Sequence, residues 1–294
     1  MSVFAWLILF VIGTAFGSFL NVVSLRYSPE DRLLFSRRIG GRSRCARCQK
    51  VLAWYELIPL LSFCIQRGRC RGCKASLSFQ YPIVELVSGL LFAYIPYVLA
   101  RATFFFSMPL WTWWVASIIW ITVAMALLLV FIIDRRYFII PNGLALSIFI
   151  LGAVWVAYVY ATGISGDVSS GSFLGTFSGM FPLFDSVALN RIAGCIGGGL
   201  LFLLLVIGSR GRAMGLGDVK LIAGIGLLFG WPDIGVIIVL SFVIGALFSG
   251  WLMMRGVRKL SDRVPFGPFI VIASAITFFF GVGLIRGYFG ILGM

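Results

Sequence analysis

Of the 294 residues, 61% are hydrophobic and 12% charged, whereas a soluble domain runs at about 45–50% apolar and about 25% charged; this is the composition of an all-α polytopic membrane protein. The chain has no His, which excludes Ser-His and Cys-His nucleophilic catalysis, HExxH zinc hydrolysis and every His-containing metal site. A net charge of +14 would suggest nucleic acid in a soluble chain, but in a membrane chain it reads as topology and anionic lipid, with no nucleic-acid partner.

Apolar runs fall near 3–25, 80–100, 110–133, 139–161, 188–208, 219–231, 234–254 and 265–285. All read as helices, because open sheet cannot span lipid and no alternating barrel pattern appears. The expectation is about eight transmembrane helices, the sixth being short and Gly-rich, either tilted or broken. The first run reads as a retained span rather than a cleaved signal, since it lacks a basic start and a small-residue cleavage site. With the N-terminus outside, segments 26–79, 134–138, 209–220 and 255–264 lie inside and hold 21 of the 24 basic residues. Arg101, Arg191 and Arg286 stay outside. The positive-inside rule therefore sorts both termini to the outer face. Three regions follow: a first transmembrane helix at 1–25, a basic cytosolic loop domain at 26–79, and a transmembrane domain at 80–294. A Ser/Gly-rich outside loop near 162–187 reads as a connector.

The cytosolic loop carries two CxxC knuckles, Cys45-Ala46-Arg47-Cys48 and, beyond a spacer, Cys70-Arg71-Gly72-Cys73. Two such knuckles can set four thiolates tetrahedrally round one Zn²⁺. With all four positions filled by protein the metal would be structural, folding a loop too small to build its own core. Arg42, Arg44, Arg47, Lys50, Arg69, Arg71 and Lys74 surround the cluster and favour thiolates. Disulfide or redox use and free thiols stay open as alternatives. Cys64 and Cys195, in apolar sequence, read as small core residues.

Among the ten acids, Glu30, Asp31, Glu56 and Asp262 sit in polar cytosolic stretches. Asp167, Asp185 and Asp233 fall in outside loops or turns, Asp233 as a turn residue after Trp231-Pro232. Glu85, a turn inside the second span, reads as a packing or polar-contact residue. Asp134 ends the third span and Asp218 opens the sixth within Gly215-Leu216-Gly217-Asp218. They are remote along the chain, yet the basic-residue count puts both on one membrane face. Two carboxylates brought close share one proton, which provides both a base toward water and an acid toward a scissile carbonyl. A structural reading also exists: Asp134 pairing with Arg135 or Arg136, and Asp218 capping its helix.

Taken in order, these motifs resemble the bacterial type IV prepilin peptidases (leader peptidase/N-methyltransferases) over nearly the whole chain. The resemblance rests on Gly17-Ser18-Phe19-Leu20-Asn21, the double CxxC with Trp54-Tyr55-Glu56 and Ile58-Pro59-Leu60 between, and Tyr81-Pro82-Ile83-Val84-Glu85. It extends through Asp134 with Ile140-Pro141-Asn142, the Gly215–Asp218 motif, and Pro265-Phe266-Gly267-Pro268. It implies a bacterial inner-membrane aspartic endopeptidase with Asp134 and Asp218 as the catalytic pair. Cys45, Cys48, Cys70 and Cys73 would be its metal ligands, with active site and zinc domain facing the cytosol. Its substrates would be prepilins and pseudopilins of pilus and secretion systems. It also implies N-methylation of the new amino terminus with S-adenosylmethionine as donor. No methyl-donor site can be placed on the residues: Gly194-Cys195-Ile196-Gly197-Gly198-Gly199 lies mid-span and reads as helix packing. The rival readings are a proton-coupled transporter using the paired Asp, a Ser–Lys peptidase using Lys220, and a membrane-anchored zinc module. Oligomeric state is not legible.

Overall fold

Apolar runs ended by Gly, Pro and charged residues fold as helices in the structure, a computed structural model that describes residues 3–29, 40–101, 109–163, 172–180, 186–212, 214–256 and 264–291. In chain order these are α1 (Val3–Arg26), α2 (Leu61–Ile65), α3 (Gln80–Arg101), α4 (Leu110–Tyr137), α5 (Asn142–Thr162), α6 (Val187–Gly208), α7 (Leu216–Phe229), α8 (Asp233–Met254) and α9 (Gly267–Ile291), with 3₁₀ turns at Trp54–Glu56 and Gly175–Met180. Glu30, Asp31, Asp167, Asp185 and Asp262, given polar-loop roles above, lie outside the described residues.

Among the described residues seven helices are long and apolar enough to cross a membrane, namely all but the single-turn α2 and the short α7. The sixth apolar run is thus the departure from eight equal spans. It becomes a 14-residue helix, about 21 Å long at 1.5 Å per residue and short of a hydrocarbon core of about 30 Å. Its compensation is burial in protein: Leu221, Ile222, Ile225 and Leu228 are wholly inaccessible, so α7 is a core helix of the bundle.

The chain divides into two packed units, Met1–Val98 with Trp120–Met125, and Leu99–Ile119 with Ala126–Met294. In the first, α1 and α3 pack backbone to backbone. A Cβ on Gly13 would stand 2.8 Å from the Gly89 Cα, and one on Gly17 would stand 2.8 Å from the Glu85 Cα. Gly13 and Gly17 are a small-xxx-small pair, the pattern that lets helices approach closely in lipid. Asn21 then links the helices by donating to the Tyr81 carbonyl at 3.2 Å and accepting from Gln80 Nε2 at 3.3 Å.

In the second unit α7 packs against α5 and α6. Gly194 of α6 and Gly226 of α7 meet through their backbones, with the Gly226 carbonyl 2.8 Å from where a Cβ on Gly194 would stand. The Gly194–Gly199 run is therefore used for helix packing.

Candidate functional site

Asp134 lies in the last turn of α4, which ends at Phe138 in a left-handed cap whose N–H donates to the Asp134 carbonyl at 2.8 Å. Its side chain is 4% exposed. Arg135 and Arg136, its alternative partners in the sequence, are exposed. The carboxylate Oδ2 instead accepts from the Gly267 N–H at 3.0 Å, at the start of α9. A Cβ on Gly267 would stand 2.6 Å from that oxygen, so only glycine lets the backbone come this close. The late Pro-Phe-Gly-Pro motif thus delivers a bare amide to the first acid.

Asp218 is the third residue of α7 and 9% exposed. Its Oδ2 accepts from the Gly215 N–H at 3.2 Å, so it does cap its helix, satisfying one of the orphan amides of the first turn. The cap uses one oxygen of the two. Asp134 and Asp218 are near enough to interact electrostatically. Ile140 lies beside both: a Cβ on Gly217 would stand 3.2 Å from Ile140 Cβ, and one on Gly267 would stand 3.4 Å from Ile140 Cδ1. Lys220 Nζ donates to Asn142 Oδ1 at 2.8 Å, tying the first turn of α7 to the first turn of α5. Ile140-Pro141-Asn142, Gly215–Asp218 and Pro265–Pro268 therefore converge on this pair. Like-charged carboxylates at one spot in a poorly solvated bundle hold a shared proton more readily than two full charges.

The Sγ atoms of Cys45, Cys48, Cys70 and Cys73 lie within 4.8 Å of one another, and Cys45 and Cys73 are 3.9 Å apart. Sulfurs at the corners of a tetrahedron round zinc are separated by about 3.8 Å for a Zn–S bond of about 2.3 Å, so the group could hold that ion. All six cysteines are free thiols. The two knuckles are built alike. In the first, the Cys45 N–H donates to the Lys50 carbonyl and the Gln49 N–H to the Cys45 carbonyl; in the second, the Cys70 N–H donates to Ala75 and the Lys74 N–H to Cys70. Gln49 and Lys74 both adopt φ of 57° to close these turns. Backbone amides of Cys48 and Arg47 bring the Cys45 thiol down to about 6. Fixed N–H dipoles, rather than the surrounding basic side chains, are thus its largest stabilisers as thiolate.

Neither remaining cysteine joins the cluster. Cys64, expected in a core, is exposed on α2, because a single-turn helix cannot bury every side. Glu85 makes the polar contact expected of it: buried in α3, its Oε2 accepts from the Leu60 N–H at 2.8 Å. Leu60 has φ of 61°, a backbone region rare for residues with a side chain, and this bond holds it there.

Asp233 and Arg191 depart from expectation. Asp233 is 0% exposed and accepts from the Ser172 hydroxyl and, at 2.8 Å, from the Phe173 N–H. Arg191, assigned above to the outside, is 2% exposed and lies 5.7 Å over the Trp155 ring. Its guanidinium donates to the Leu228 carbonyl at the end of α7 and is attracted to Asp233. A helix that stops inside a bundle leaves carbonyls away from water, and the Arg191 guanidinium meets that need. The available signal was a lone Arg near the start of an otherwise apolar span.

Two family models match the chain: the Bacterial Peptidase A24 N-terminal domain over residues 11–99 and the Type IV leader peptidase family over residues 121–250. The chain is also 30% identical to a protein of Aeromonas hydrophila, covering 96% of this chain and 92% of that one. It is 30% identical to one of Vibrio cholerae, covering 94% and 97% respectively. A third relative, from Bacillus subtilis, is 30% identical, covering 96% of each. All three are named prepilin leader peptidase/N-methyltransferase. No solved structure matches the chain.

Proposed function

From a chain that belongs to the Type IV leader peptidase family, we propose a membrane-embedded aspartic endopeptidase that removes the leader from type IV prepilins and pseudopilins, with Asp134 and Asp218 as the catalytic pair. The observation that carries the reading is the convergence of these two buried carboxylates, from α4 and α7, on the same neighbourhood around Ile140 and Gly267. The ionised member takes a proton from water as the water oxygen bonds to the scissile carbonyl carbon. The protonated member gives its proton to the carbonyl oxygen. Collapse of the tetrahedral intermediate breaks the C–N bond, and a proton passes to the leaving amine. The Gly267 and Gly215 amides, each on an Oδ2, hold the two carboxylates in orientation.

The positive-inside distribution supports a cytosolic active site in the bacterial inner membrane. There an apolar pilin helix in the bilayer would present its basic leader junction at the lipid boundary. Zinc, held by Cys45, Cys48, Cys70 and Cys73, would cross-link the two knuckles and act structurally. The relatives' names extend the proposal to N-methylation of the new terminus with S-adenosylmethionine as donor. The Gly194–Gly199 run packs inside α6, so it offers the donor no loop, and no residue is assigned to that step. The transporter alternative is not favoured by membership of a peptidase family.

The test is a purified precursor peptide incubated with the full-length protein and a labelled methyl donor. Leader release lost in both Asp134→Asn and Asp218→Asn, with protein level unchanged, is the expected result. Cleavage retained in both variants would overturn the assignment.

A further inference from the structure

The Cys-knuckle segment carries a surface that borders the candidate metal ligand Cys70 and that peptide hydrolysis does not use. On α2, Leu61, Cys64 and Ile65 are all exposed. At i, i+3 and i+4 they share one side of the helix. Ile65 also lines a concavity of about 1000 Å³ together with Arg67, Arg69, Arg71 and Lys74, four exposed cations. Arg71 sits 5.1 Å over the exposed Tyr55 ring, which packs edge-on against exposed Trp54. Apolar stripe, basic hollow and aromatic rim are therefore one continuous surface. Residues 40–79 hold eight Arg and Lys against the single acid Glu56. Zinc bound by four thiolates adds a formal charge of about −2, which leaves the segment strongly positive. The segment is tethered at both ends to membrane-length helices, α1 and α3, which keep it at a lipid surface.

Basic side chains ringed by Leu, Ile, Trp and Tyr are the combination that seats a surface element among lipid headgroups. We propose that this face docks on the bilayer and that the hollow takes the phosphate of an anionic phospholipid headgroup. A basic pilin leader is the wrong charge for it. Cys64, in the middle of the apolar stripe, reports on the docking because seating buries its thiol.

The test reconstitutes the full-length protein in two kinds of nanodisc, one of phosphatidylcholine alone and one of phosphatidylcholine mixed with phosphatidylglycerol. Alkylation of Cys64 by a water-soluble maleimide is then measured peptide by peptide. It should be about tenfold slower in the anionic discs, because Lys and Arg side chains are drawn to an anionic leaflet and not to phosphatidylcholine. High salt should reverse the slowing in the wild-type protein. The quadruple variant Arg67→Gln, Arg69→Gln, Arg71→Gln, Lys74→Gln, with its zinc content unchanged, should show no difference between discs. Equal rates in the two discs, or slowing that survives in this variant, would overturn the proposal. So would inorganic phosphate reproducing the slowing in phosphatidylcholine discs, which marks a free-anion site, or protection appearing only with added precursor peptide, which marks a protein partner.

Discussion

Gly267→Ala separates the geometry of the acid pair from the stability of the fold. The Gly267 N–H donates to Asp134 Oδ2 at 3.0 Å. An added Cβ would stand 2.6 Å from that oxygen and 3.2 Å from Cγ, while ordinary contact begins at 3.4 Å, so the oxygen must withdraw by about 0.8 Å. Gly267 does not have a left-handed φ, but it opens α9 directly before Pro268, where the proline ring disfavours helical backbone for a residue with a Cβ, so alanine gains nothing as a helix residue. Overpacking costs about 1–3 kcal/mol, reduced here because the obstructing atom ends a side chain that can rotate. The fold should therefore lose at most about 3 kcal/mol. Catalysis should suffer more, since misplacing a reacting group by about 1 Å costs about 10²-fold. Initial rates of leader release from a precursor peptide in detergent should fall about 100-fold, with thermal midpoint lowered by only a few degrees. Gly283→Ala, on the same helix with nothing within 4 Å of its added Cβ, is the control and should keep its rate. Leader release by Gly267→Ala within threefold of wild type would refute the claim that this amide sets the Asp134 carboxylate.

Asp134→Asn and Asp218→Asn should each lower leader release by about 10³-fold or more, because either change leaves one carboxyl where the proposed mechanism needs two. Immunoblots should show normal accumulation. Arg191→Met strips the buried Leu228 carbonyl of its donor and should destabilise the protein by about 1–3 kcal/mol, read as a lowered detergent unfolding midpoint; a midpoint equal to wild type would show the contact to be dispensable. Gly226→Ala drives a Cβ into the backbone of Gly194, where no side chain can rotate away, so the protein should fail to accumulate in membranes. Zinc analysis of purified protein should find about one ion per chain, lost on Cys45→Ser or strong chelation with release of reactive thiols. Absence of zinc with four thiols freely alkylated would remove the metal.

Much of this architecture was legible one residue at a time. Apolar runs of about 20 residues can do little in lipid except form helices, so seven of the eight expected spans are present among the described residues. The double CxxC spacing specified a four-sulfur group because each knuckle is a local turn, closed by hydrogen bonds between near neighbours in the chain. The boundary acids Asp134 and Asp218 stood out because charge at that depth is costly. Tertiary packing decided the rest. The short α7 holds its place by burial against α5 and α6, which no local pattern encodes. Asp233 and Arg191 looked like loop and boundary charges, since a lone Arg in an apolar span does not by itself say that a helix ends inside protein and needs its carbonyls met. Which amide Asp134 receives was likewise settled by packing, whereas Asp218 takes the local cap amide of Gly215: Gly267 is far beyond Asp134 in the chain, and only the folded bundle brings that bare N–H to its oxygen. Short-range chemistry is written in neighbouring residues, whereas desolvation and long-range contact exist only once the chain has closed around them.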